Sequence, residues 1–175
     1  MKQLIVLITI FSFFFTGCED NDPGDSDRNN IILITTHDID AAGAPGFYFD
    51  FISGEETDST GSWHISFQML SVVGTTYKMP NLVLGDVSIS EYTNLSYDDI
   101  TSTPETFQND NIQDPSALQY GGASEVLAYD MQIHKVSVSN AERVFIIHEP
   151  INDTTYKIQF IEYISGITTF KYDAL

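Results

Sequence analysis

The sequence predicts an all-β domain of antiparallel sheets, stacked as a sandwich or barrel-like pile and ending in a three-stranded meander. Three observations lead there. Apolar residues alternate with polar ones in Phe47-Tyr48-Phe49-Asp50-Phe51 and again in Trp63-His64-Ile65-Ser66-Phe67-Gln68-Met69, the period-2 pattern of strands with one buried face. No segment sustains a 3.6-residue period, so helical layers are not expected. The last third contains three strand-like runs separated by two short turns, which is the pattern of a meander.

The first element is a targeting segment rather than part of the fold. Met1 and Lys2 precede an apolar run from Leu4 to Phe15, broken only by Thr9 and Ser12. That run is too short to span a bilayer as a helix and has the length of a signal-peptide core. Thr16-Gly17-Cys18 follows directly. Small residues ahead of a cysteine match the bacterial lipobox, with Phe15 standing where leucine is usual. We therefore expect residues 1–17 to be removed and Cys18 to be lipidated. Cys18 is the single cysteine, so no internal disulfide can form in an exported chain.

Residues 18–30 form the anchored cysteine and an acidic tether. Glu19, Asp20, Asp22, Asp25 and Asp27 lie among Pro, Gly and Asn with no bulky apolar residue. Burial cannot offset the ordering entropy of such a stretch. Its acid spacing faintly resembles a calcium loop, but the glycine and closing glutamate of that motif are misplaced, so it reads as a solvated linker. An acidic run just after the lipidated cysteine also resembles the surface-export signal of some Gram-negative lipoproteins.

Residues 31–175 form one domain, long enough to bury a core without disulfide or metal. Within it, Asn81 to Ser90 reads as a kinked strand or short strand pair bent at Gly85-Asp86. Leu95 to Leu118 is polar, contains Pro104 and Pro115, and reads as a long connection with one helical turn at Asp114-Pro115. Val144-Phe145-Ile146-Ile147 suits a central strand. Tyr156, Ile158 and Phe160 alternate with Lys157 and Gln159, and Ser165-Gly166 turns the chain into Thr168, Phe170 and Tyr172.

Charge narrows the function classes. The chain has 25 acidic and 7 basic residues, a formal net charge of −18. Nucleic-acid binding needs clustered cations and is disfavoured on that ground. An anionic membrane surface would repel such a chain, so the membrane anchor is the lipid. The sequence carries no nucleophile elbow, phosphate loop, dinucleotide fingerprint or His-Glu-x-x-His pair. It reads as non-enzymatic, since no carboxylate pair can be placed at a cleft either.

The remaining candidates are histidines and methionines. His64 shares its parity with the polar residues of its strand and reads as a surface residue. His148 reads as a rim residue and His134 as half-buried, on the parity of Val136 and Val138. Met69 reads as core. Met79 and Met131 each read either as gap-fillers in the interior or as thioether ligands.

Several segments together resemble the HmuY-like family of haem-binding bacterial surface lipoproteins. They are residues 47–55, from Phe47 to Glu55; Ser62-Trp63-His64-Ile65-Ser66-Phe67; Arg143-Val144-Phe145-Ile146-Ile147; Thr155-Tyr156-Lys157-Ile158-Gln159-Phe160; Tyr163; and Gly166-Ile167-Thr168-Thr169-Phe170-Lys171-Tyr172. The resemblance implies an all-β fold and haem held between axial His or Met side chains, with one ligand a short distance before the Arg-Val-Phe strand. Counting back from Arg143 reaches Met131. The family's second ligand lies in the long connection, which here contains neither Met nor His, leaving Met79 and His134 as substitutes. Tyr129 and Phe47 are the aromatic residues expected to line the slot. The implied role is a cell-surface, outer-membrane protein that captures haem and passes it to a receptor. The rival role is an envelope interaction module that binds a protein or glycan without a cofactor.

Overall fold

The computed structural model describes residues 32–92, 94–103 and 115–175. The expected signal segment, Cys18 and the expected tether lie outside the described residues, as do Pro104 and Asp114 of the long connection. The strands are β1 (Ile32–Thr35), β2 (Phe47–Asp50), β3 (Glu55–Thr57), β4 (Ile65–Ser71), β5 (Lys78–Leu84), β6 (Ser88–Tyr92), β7 (Leu127–Asp130), β8 (Lys135–Val138), β9 (Val144–Glu149), β10 (Thr154–Ile164) and β11 (Ile167–Ala174). A 3-10 turn covers Pro115–Leu118.

All pairings are antiparallel. One sheet has the order β1-β11-β10-β9-β6, a second β3-β2-β4-β5, and β7-β8 stands as a separate hairpin. Neither large sheet closes on itself, so the architecture is a sandwich. The meander is β9-β10-β11. Its second turn is Ser165-Gly166, both with positive φ (47° and 87°), the geometry that matches the twist of a tight hairpin.

Alternation decides which residues meet between the sheets. Phe47, Phe49, Ile65, Phe67 and Leu82 on one sheet face Phe145, Ile147, Ile158, Phe160 and Phe170 on the other. The contact is aromatic: Phe49 meets Phe170 edge-on at 5.5 Å between centroids, and Phe67 meets Phe160 at 5.7 Å. Each such pair adds about 0.5–1.5 kcal/mol beyond its buried area.

The unbroken apolar run of β9 has a specific cause. Phe145 and Ile147 face the inter-sheet core, while Val144 and Ile146 face a second cluster with Tyr97 and Ile100 on the other side of the strand. Residues 94–103 thus cover the outer face of the five-stranded sheet. Lys157, whose parity suggested exposure, is sealed there. Its Nζ donates to the carbonyls of Tyr97 (3.2 Å) and Ile100 (2.8 Å).

Two features place the β7-β8 hairpin. The β9–β10 ladder ends at Ile158, and β10 bulges between Phe160 and Glu162. Beyond the point where β9 departs, β8 lies against β10, and β7 and the 3-10 turn lie against β5. The hairpin therefore stands beside the end of the sandwich, next to the β4-β5 hairpin.

Candidate functional site

The gap between those two hairpins is a cleft of about 480 Å³, within the usual range for small-molecule and cofactor sites. One wall is the β4-β5 hairpin, contributing Val72, Thr75, Tyr77, Lys78 and Met79. The other is formed by Tyr120, Tyr129 and His134. The walls are mainly apolar and aromatic, and Lys78 is their one cation.

Local sequence explains both walls. Leu70 pairs with Met79 and Ser71 with Lys78 at the end of the β4-β5 ladder, so Met79 and Lys78 emerge where the sheet stops. Asp130 pairs with Lys135, leaving residues 131–134 as the connecting turn. Asp130 Oδ1 accepts from the Gln132 backbone at 2.7 Å and stabilises that turn. His134 closes it in the left-handed region, φ 52°, a conformation uncommon for a non-glycine residue though less so for histidine.

The imidazole is held from inside the hairpin. Tyr129 Oη and His134 Nδ1 are 2.6 Å apart. A phenol is the better donor and an imidazole nitrogen the better acceptor, so the hydroxyl donates.

Asn81 ties the walls together. It is 4% exposed, its Nδ2 donates to the Met79 carbonyl at 2.9 Å, and its Oδ1 accepts from the Tyr120 backbone N–H. A single buried amide thus fixes the backbone on both sides of the cleft. A smaller hollow of about 270 Å³ continues past it and shares Val72 and Tyr120 with the first.

The sequence candidates are distributed unevenly. Met79, Tyr129 and His134 come together on this cleft. Met131 lies in the same turn as His134 but is 74% exposed and is not part of the cleft walls. It fills no core. Phe47 is 2% exposed and stacks against Phe49 in the inter-sheet core at 6.1 Å, so it lines no cleft. Its strand parity turns it inward. Tyr77, Tyr120 and Asn81 were not singled out from sequence. Tyr77 directly precedes Lys78-Met79, and an aromatic beside a candidate ligand was the available signal. Nothing local marks Asn81, because its partners come together only through the fold.

The other histidines do different work. His134 is exposed rather than half-buried, because it belongs to the turn and not to β8. His64 is buried, at 7%, not on the surface. It precedes β4, and its Nδ1 accepts the Phe51 backbone N–H at 3.0 Å, with Asp50 Oδ1 3.1 Å away. With Nδ1 accepting that N–H, the carboxylate is a close neighbour with no proton shared between them. His148 is half-buried, with Nε2 2.9 Å from Asp153 Oδ1. Nearby, Glu149 is 1% exposed. Burial pushes its carboxyl up, but bonds from the Asn152 and Ile151 backbones and the Asn152 side chain, with His64 close by, bring it below the usual range.

No cluster of three or more His, Cys, Asp or Glu side chains suited to a metal ion occurs among the described residues. The donors on the cleft are a thioether, an imidazole and phenols instead, a set suited to the axial positions of haem iron. No protein-family model matches the chain, and no curated protein matches it. The fold and the cleft therefore define the class: an all-β sandwich with an aromatic cleft beside its end.

Proposed function

We propose that this chain is a non-enzymatic, lipid-anchored outer-membrane protein that binds haem at the cell surface and passes it to an outer-membrane receptor. One observation carries the reading. Met79 on one hairpin and Tyr129 and His134 on another, distant in sequence, line a single aromatic-walled cleft of about 480 Å³. The tyrosines offer flat apolar surface to a porphyrin ring, and Lys78 offers a cation to its carboxylates. Bound haem supplies an iron with axial positions for nitrogen, sulfur or oxygen donors. Met131, three positions before His134 in the same turn, stands outside these walls.

Titration of the purified protein with haemin tests this. A saturable Soret change at a one-to-one ratio is the expected result, and Met79→Ala should weaken it more than Met131→Ala. A spectrum identical to free haemin at every ratio would end the reading.

The second reading is a cofactor-free envelope interaction module. The β4-β5 tip favours it, since Val73 is 98% and Tyr77 73% exposed, and exposed apolar tips suit protein contacts. Under that reading a partner co-purifies from solubilised membranes, no haem absorbance accompanies it, and Val73→Asp abolishes the association.

A further inference from the structure

Building on the haem reading, we infer that the iron ligand supplied by the β7-β8 hairpin is the phenol oxygen of Tyr129, with His134 as the base that takes its proton. The inference starts from the 2.6 Å contact between Tyr129 Oη and His134 Nδ1. Both side chains line the cleft. The contact is short even for a hydrogen bond to nitrogen.

The donor and acceptor roles decide which atom can bind a metal. With the hydroxyl donating to Nδ1, the neutral imidazole carries its own proton on Nε2. That nitrogen has no lone pair to offer until the ring changes tautomer. The phenol oxygen keeps lone pairs available and already has its proton directed at a base. Coordination then needs one short transfer. The O–H bond breaks, the proton moves to Nδ1, a bond forms between Oη and ferric iron, and the water or hydroxide held by the iron leaves. The imidazolium remains beside the new phenolate and stabilises it. No oxidant or reductant is required, and charge balances within the pair and the ion.

The backbone supports a positioned role for His134. A left-handed φ of 52° is carried by a histidine where glycine or asparagine relieves strain. What the side chain does from that position is make the bond across the turn to Tyr129. The resemblance to proteins with His or Met ligands pointed to Met131, but the phenol stands on the cleft wall and Met131 does not.

Phenolate is a hard ligand that favours ferric over ferrous iron. A hairpin carrying it would hold ferric haem and release it on reduction.

Haemin, added to the purified full chain in detergent, tests the assignment when binding and ligation are read separately. Co-elution on gel filtration reads binding. Visible charge-transfer absorption and phenolate modes in resonance Raman spectra read the ligand. Wild type should co-elute with haemin and show the phenolate signature. Tyr129→Phe should lose that signature and bind at least about tenfold more weakly. His134→Gln should keep Tyr129 but show a weaker phenolate signature, because the base that takes the proton is gone. If Tyr129→Phe co-elutes with an unchanged spectrum while His134→Gln loses its own, the imidazole is the ligand and this assignment is overturned. If wild type does not co-elute with haemin, the haem reading itself falls and takes this assignment with it.

Discussion

Asn81 shows how one buried side chain can position the cleft. Its amide satisfies Met79 O and the Tyr120 N–H, and removing it leaves both without that partner in a tight space. A buried group left unpaired costs about 1–3 kcal/mol. Asn81→Ala is therefore expected to lower unfolding free energy by about that amount in urea denaturation, and to weaken haemin binding although Asn81 does not line the larger cleft. Normal stability in this variant would show that the amide is not a tie. Residue by residue, the site was only partly legible from sequence. Met79, Tyr129 and His134 could be named as side chains with the right chemistry, yet their convergence could not, because it depends on how two hairpins sit. Parity misplaced Lys157 because residues 94–103 cover a sheet face that alternation alone assigns to solvent. His64 went wrong for a related reason. It precedes β4, where the chain bends toward Phe51 and the alternation no longer applies.

The strands with strong alternation, β2, β4, β10 and β11, were legible, as were the turn at Ser165-Gly166 and the bend at Gly85-Asp86. β9 was legible as a central strand because apolar residues on both faces demand cover on both faces. β3 and the β1–β11 pairing were not, since short edge strands carry little pattern and depend on partners distant in sequence. The Ser165-Gly166 turn gives a direct test of how an element depends on its turn. Gly166 has φ 87°, and a Cβ there would overlap the Asp38 carboxylate and come within 2.9 Å of the Asp40 backbone nitrogen. The backbone cannot simply step aside, because Ile39 N donates to Gly166 O at 3.0 Å. Gly166→Ala should therefore destabilise the domain by about 1–3 kcal/mol. Measured by thermal unfolding, its loss should exceed that of Gly74→Ala, where φ is also positive (77°) but a Cβ meets nothing within 4 Å. Equal losses would mean that strain in φ alone, and not contact with residues 38–40, sets the cost.

At the scale of the molecule, the titrating groups bound the pH range of full stability from both sides. On the acid side, Glu149 is held below its ordinary value of 4.5, and Asp58 and Asp99 below 3.8, the latter two by their Thr60 and Ser96 bonds. A carboxyl whose folded value is depressed contributes stability above its unfolded value and loses it as pH falls through the folded one. On the alkaline side the sign reverses. Burial raises Tyr163 from 10.0 to about 12, with Asp40 nearby adding to it. Burial also raises Tyr172 and, more strongly, Tyr97, which lies between Lys157 and Lys171 at 4.5 and 4.0 Å from its ring centre. The fold keeps these phenols neutral, so their contribution is complete below pH 10 and disappears as pH climbs toward their folded values. Urea midpoints should be flat from about pH 5 to 9 and fall on both sides. Glu149→Gln should flatten the acid limb and leave the alkaline limb unchanged, whereas Tyr163→Phe should do the opposite. An alkaline limb that begins its fall well below pH 10 would show that the buried phenols do not set it.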